Sequence, residues 1–125
     1  MQPPAELPLG RRGEDYARRR LEREGWQFVI ANWYCPSGEL DLVMWDREVL
    51  VFVEVKTRRG EGAGRAEESI SAKKANRLLQ TGEWFLSEHP EAGDPIWRVD
   101  LVAITVDQKK SVVRFSHVKN AVVVG

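Results

Sequence analysis

One stretch constrains this chain more than any other: Leu50-Val51-Phe52-Val53-Glu54-Val55-Lys56. Its apolar residues fill both alternating positions, and a strand apolar on both faces belongs in the covered centre of a sheet. A carboxylate set into such a strand is costly unless it is paired or bound to a metal. Glu54 therefore needs a partner, and the rest of the sequence has to supply it.

The segments 39–45 and 49–56 read as two strands with a spacer short enough for a β-hairpin. With Asp46 opposite Val49 and Arg47-Glu48 as the loop, Leu40, Leu42 and Met44 share a face with Val55, Val53 and Val51. The other face sets Glu39 opposite Lys56, Asp41 opposite Glu54, Val43 opposite Phe52 and Trp45 opposite Leu50. Two carboxylates within ~5 Å of each other repel, and one pKa rises. A divalent cation between them removes that penalty. Two carboxylates, a backbone carbonyl and waters suit Mg²⁺ or Mn²⁺, hard ions that prefer oxygen.

Lys56 lies about 6–7 Å beyond Glu54 on the same face. There it can hold or activate an attacking water and stabilise charge on a phosphorane, while the metal polarises the phosphate and acidifies bound water. Glu14 is a further candidate, because Glu14, Ala17 and Leu21 form an i, i+3, i+7 set at the border of a buried helix face. Spacing alone leaves a second reading open, in which the same charges merely solvate a sheet end.

Around the hairpin the pattern predicts a helix over 11–24, marked by Gly13, Ala17 and Leu21 and stopped at Gly25. A strand over 26–33 and a turn at 36–38 follow. After a glycine-rich, charged loop over 57–68 come a helix over 71–88, a strand over 97–106 and a last strand over 111–116; the tail 118–124 is expected to add an edge. The order αβββαββ is an α/β fold with a central mixed sheet flanked by helices. Residues 1–10 are expected to form a disordered N-terminal arm and 11–125 a single domain, which suits a chain of 125 residues.

The formal net charge is zero, with 19 Lys+Arg against 19 Asp+Glu, which argues against a strongly basic coat for nucleic acid. The cations are nevertheless clustered. Arg11, Arg12, Arg58, Arg59 and Lys73 are candidate phosphate contacts. The glycine-rich 60–64 lacks the Gly-Lys-Ser/Thr of a phosphate-binding loop. Trp33 and Tyr34 are candidates for base stacking or for core packing, and His89 and His117 are expected at the surface. A single cysteine, Cys35, allows no internal disulfide and suits a reducing compartment. With no signal-like h-region and no apolar run near the roughly 20 residues of a membrane span, a cytoplasmic protein without a membrane partner is expected.

The segments G-E-D-Y-A (13–17), N-W (32–33), G-E-L-D-L-V (38–43), L-V-F-V-E-V-K-T-R (50–58) and R-V-D-L-V-A-I (98–104) together resemble the YraN family of small bacterial proteins. That family belongs to the PD-(D/E)xK nuclease superfamily and is similar in core to archaeal Holliday-junction resolvases. The resemblance spans roughly residues 10 to 120; Leu40 stands where isoleucine is common, and Val99 where an aromatic is frequent. It implies a restriction-endonuclease-like core, Asp41 and Glu54 as metal ligands, Lys56 as catalytic lysine and Glu14 as the resolvase-like helix acid. It also implies that Lys73 or Lys74 lies near the substrate backbone.

The expectation is a Mg²⁺- or Mn²⁺-dependent endonuclease acting on DNA before RNA, including branched or repair intermediates. The alternatives are a catalytically silent nucleic-acid-binding module and a protein-interaction adaptor. A two-fold homodimer would suit a resolvase-like task, since two sites cut two strands.

Overall fold

The computed structural model describes residues 9–60 and 70–122. The chain runs α1 (Leu9–Arg23), β1 (Gln27–Cys35), β2 (Gly38–Asp46), β3 (Val49–Arg59), α2 (Ala72–Glu88), β4 (Trp97–Val106) and β5 (Val112–Val118), with a short 3-10 turn at Pro90–Ala92. The strands lie in the order β1-β2-β3-β4-β5. β3 and β4 are parallel and the other neighbours antiparallel. A parallel pair needs a long crossover, and α2 lies in it. The expected element order and mixed α/β sheet hold, in keeping with a restriction-endonuclease-like core.

The hairpin register is the expected one, from Asp46↔Val49 to Leu42↔Val53, with Arg47 left-handed (φ 57) in the loop. Boundaries differ where tertiary partners decide them. Helix α1 starts at Leu9, inside the arm expected over 1–10, whose residues 1–8 lie outside the described residues. Thr57, Arg58 and Arg59, expected in a loop, extend β3 because β4 offers parallel partners through Arg59↔Val106; the loop's remainder from 61 on lies outside the described residues. The tail adds no edge strand as far as Val122: the Ala121 N–H donates to the Val99 carbonyl at 2.7 Å, and Val122 is buried in the core.

The sheet separates two apolar layers. On one side Ala17 and Leu21 of α1 pack on Leu42, Met44, Val51, Val53 and Ile104. On the other, Leu78 and Phe85 of α2 pack on Leu40, Val43, Leu50, Phe52 and Val99. Regular alternation places Leu40 beside Leu42 and Met44, and the structure does not. The pair Ala31↔Leu42 faces α1, whereas Trp33↔Leu40, two residues along, faces α2. Regular strands keep i and i+2 on one face, so the β1–β2 ribbon turns over between these pairs, where Asn32 lies opposite Asp41. Asn32 is left-handed there (φ 53), a conformation uncommon for a residue other than glycine. Trp33 lies edge-on against Phe85, with ring centroids 5.2 Å apart, and is partly buried against the α2-side core. Tyr34 stays 63% exposed.

His89 and His117 are also drawn inward. The His89 ring stacks on Phe85, and its Nδ1 donates to the Phe85 carbonyl at 2.7 Å, closing α2. His117 Nε2 donates to Asp100 at 2.8 Å. Asp100 has no exposed surface and also accepts from Arg98 Nε at 2.9 Å and the Asn120 N–H at 2.8 Å. Arg98 reaches on to Asp46 at 2.9 Å. The hairpin turn, β4, β5 and the tail are thus tied through one carboxylate. Burial alone would raise its pKa; the hydrogen bonds from His117, Arg98 and Asn120 outweigh burial and hold it below the usual carboxylate value.

A depressed folded pKa is stability present above the unfolded pKa and lost as pH falls through the folded one. Asp100→Asn should lower stability at neutral pH by about 3 kcal/mol or more, as expected for removing one partner of a buried ion pair. It should also flatten the acid limb of stability against pH, both read by urea denaturation.

Candidate metal centre

The site begins at a fork in the sheet. The β2–β3 ladder ends at Leu42↔Val53, while β4 stays paired with β3 far beyond it. Past the fork the Val55 N–H donates to Asp41 Oδ2 at 2.9 Å, so a side-chain carboxylate stands in for the missing strand carbonyl. Asp41 is therefore buried, with 7% exposure. Glu54 is equally buried. Two residues past Phe52, it shares the face packed against α2. Ser71 caps that helix by accepting from the Lys74 N–H at 3.1 Å, and Lys74 Nζ meets Glu54 Oε1 at 2.6 Å. Lys56 is next on the same face and half-buried.

Electrostatics tie these groups together. Burial first, then the charge of Glu54, push the Asp41 carboxyl up to about 7 against the opposing Val55 N–H, and Glu14 and Glu39 add to the rise. Burial, then Lys74, push the Lys56 amine down, while Glu54 opposes them. Glu14 is raised by burial; a hydrogen bond from the Asn32 side chain opposes the rise and Glu39 adds to it. Its Oε1 is buried without a hydrogen-bond partner among the described residues. Glu14 can come this close because α1 lies tight on β3: a Cβ at Gly13 would overlap Thr57 Oγ1.

The sequence candidates Asp41, Glu54, Lys56 and Glu14 thus converge at one end of the sheet. Of the two lysines left open, Lys74 is the one on Glu54. Arg11 acts on Glu14 and Arg58 on Lys56. Among the described residues no ion pair brings Arg12, Arg59 or Lys73 onto the acids. Two expectations are corrected. Asp41 and Glu54 are not a regular cross-strand pair, because the ladder has already ended. Glu39 does not face Lys56; it pairs with Tyr34 of β1 and adds its charge to Asp41 and Glu14. Glu39 and Asn32 were absent from the sequence candidates. The legible signal for Asn32 was an asparagine, a residue depleted in strands, inside a strand pattern. A cavity of about 270 Å³ lined by Arg11, Glu14, Asn32 and Leu42 among others opens on the α1 side.

Among the described residues no three Asp, Glu, His or Cys side chains are gathered closely enough to hold an ion, so the protein's charged donors at the fork are two carboxylates. They fit a hard divalent ion on three observations. The donors are all oxygen. The Asp41 carboxylate is buried beside like charge that a cation would offset. An ammonium already occupies a cation position on Glu54.

Residues 13–104 match the family model described as uncharacterised protein family UPF0102. The chain is similar to the UPF0102 protein of Pelotomaculum thermopropionicum, 43% identical over 113 residues covering 90% of this chain and 93% of the relative. The UPF0102 protein of Roseiflexus castenholzii is 41% identical over 114 residues, 91% of this chain and 92% of that one. That of Kineococcus radiotolerans is 45% identical over 102 residues, 81% and 83% of the two chains. The matched region includes Glu14, Asn32, Asp41, Glu54, Lys56 and Lys74 and stops before His117.

Two measurements follow from this geometry. A raised carboxyl pKa means the folded chain binds the extra proton, so stability falls as pH rises from the ordinary carboxylate range through about 7. Asp41→Asn keeps an acceptor for Val55 and removes the charge; the metal-free variant should melt above the wild type at pH 8, with the gap closing at low pH. Gly13→Ala should destabilise by about 1–3 kcal/mol through overpacking, and adding Thr57→Ala should recover most of that loss in chemical denaturation.

Proposed function

We propose a function from one premise: the chain belongs to the uncharacterised protein family UPF0102, a PD-(D/E)xK nuclease-like family. On that premise the protein is a divalent-metal-dependent endonuclease that hydrolyses phosphodiester bonds of DNA, branched or repair intermediates included. The observation that carries this reading is the fork. Two buried carboxylates, Asp41 and Glu54, act on each other there, with Lys56 two residues past Glu54 on β3.

Asp41 and Glu54 would hold Mg²⁺ or Mn²⁺, and Glu14 would offer its unpartnered oxygen to a water. Such an ion polarises a phosphate and lowers the pKa of its bound water. Lys56, its amine pushed down by burial and by Lys74, exchanges a proton with an attacking water more readily than an ordinary lysine. The same amine, when charged, stabilises the negative charge that builds on the phosphorane. Lys74, Arg11 and Arg58 carry positive charge beside the acids and would position the phosphodiester backbone without reading its sequence.

A second reading, a binding module that keeps the fold without the chemistry, is favoured by one observation: Lys74 already neutralises Glu54 with no metal needed. It predicts salt-dependent nucleic-acid binding and no metal site.

Purified protein with Mg²⁺ or Mn²⁺ should nick plasmid DNA or cut branched oligonucleotides. Asp41→Ala and Glu54→Ala should each abolish cutting while the far-ultraviolet circular dichroism spectrum is kept. Lys56→Ala should slow cutting by roughly 10²–10³-fold, the effect of losing one transition-state donor. Cutting that survives both acid substitutions would assign the chemistry elsewhere.

A further inference from the structure

Four non-glycine residues among those described have positive φ: Asn32, Arg47, Lys110 and Asn120. Arg47 lies in the β2–β3 loop, Lys110 in the β4–β5 turn and Asn120 past the end of β5. Asn32 alone lies inside a strand. A left-handed residue within a strand persists only where its surroundings hold it, and such outliers gather at functional sites. The surroundings are specific. Flanking pairs Ala31↔Leu42 and Trp33↔Leu40 set Asn32 opposite Asp41, where the ribbon passes from the α1 face to the α2 face. With Glu14 it lines the cavity beneath α1, and its side chain is the hydrogen-bonding neighbour of the Glu14 carboxyl.

These observations share one explanation. Were β1 and β2 regular here, position 41 would keep its place in the alternation, and Leu40 and Leu42 would sit on one face. The left-handed turn instead swings the ribbon so that the Asp41 carboxylate enters the fork and accepts from the Val55 N–H. The same residue's amide reaches α1 on the other side. Glu14 then has one oxygen with a polar neighbour, and its buried Oε1 is left without a partner.

We propose that Asn32 is a positioning residue of the metal-dependent site, whose left-handed backbone turns Asp41 into the fork and whose amide orients the Glu14 carboxyl beside it. The proposal rests on the nuclease reading for its purpose, and its two halves can be measured separately from that reading. Asn32→Gly keeps the left-handed backbone, which glycine adopts without penalty, and deletes the amide. Asn32→Val imposes a residue that resists positive φ.

The decisive experiment follows the Glu14 carboxyl by ¹³C NMR across pH in the wild type and the glycine variant, and titrates wild type and both variants with Mn²⁺ by calorimetry. With Asn32→Gly the Glu14 titration should move to higher pH and Mn²⁺ should still bind. Turnover on DNA should fall roughly 10–100-fold, as for loss of an outer-shell partner, with DNA affinity unchanged. With Asn32→Val, Mn²⁺ affinity itself should fall by a similar factor. A glycine variant whose Glu14 titration superimposes on the wild type would overturn the amide's role. A folded valine variant with wild-type Mn²⁺ affinity would overturn the backbone's role. If the valine variant does not fold, Asn32→Ala, which resists positive φ less strongly than a β-branched residue, takes its place in the Mn²⁺ titration with the same two outcomes. A wild type that cuts no DNA would count against the nuclease reading, while the carboxyl titration would still decide whether Asn32 orients Glu14.

Discussion

The hydrogen bond from the Val55 N–H to the Asp41 carboxylate is the interaction on which the rest of the site depends. When β2 leaves β3 after Leu42↔Val53, a β3 donor loses its strand partner near the core, and an unsatisfied buried N–H costs about 1–3 kcal/mol. A backbone carbonyl would have satisfied it with no net charge. Here a carboxylate does so, and that choice places an acid in a buried position beside Glu54. The sheet's continuity at the fork and the charge of the site therefore come from the same atoms, and they pull stability in opposite directions. The bond holds the strand, whereas the buried charge loosens it as pH rises.

The fork also explains how two layers of the fold share one centre. A closed sheet would separate α1 from α2 completely. Where β2 and β3 part, Glu14 from α1 and Lys74 from α2 both act on the Asp41–Glu54 pair. α1 is held close by the glycine contact at Gly13 against Thr57, and the start of α2 by the Ser71 cap. Asp100 is the β4 partner of Val53, the last rung before the fork, and its network does separate work, tying turn, strand and tail through Arg98 and His117. The fold thus sets a fully hydrogen-bonded carboxylate beside the fork and leaves one carboxyl oxygen at it, Glu14 Oε1, without a partner among the described residues.

Much of this was legible along the chain. The alternation of 39–45 and the doubly apolar 50–55 determine the hairpin register and put Glu54 and Lys56 on one face, whereas Asp41 reaches them past the end of the ladder rather than as a rung of it. Glu14 was legible because a helix repeats every few residues and Ala17 and Leu21 mark its buried face. What escaped the sequence depends on partners remote along the chain or on a single dihedral angle. Nothing near Thr57 announces that β4 will extend β3 to Arg59, and nothing near His117 announces Asp100. Lys73 and Lys74 are neighbours in sequence; only the pose of α2 over β3 separates them. The face switch at Asn32 was hidden because alternation assumes regular strands, and here Leu40 and Trp33 both lie on the face opposite to Leu42 and Ala31.

A crystal soaked in Mn²⁺ and measured at the manganese edge tests the central claim without needing a substrate. One anomalous peak within coordination distance of both Asp41 and Glu54, with the Lys74 ammonium displaced from Glu54, is the predicted result. Diffraction that shows no manganese there, with Lys74 still on Glu54 and Asp41 still on Val55, would contradict it.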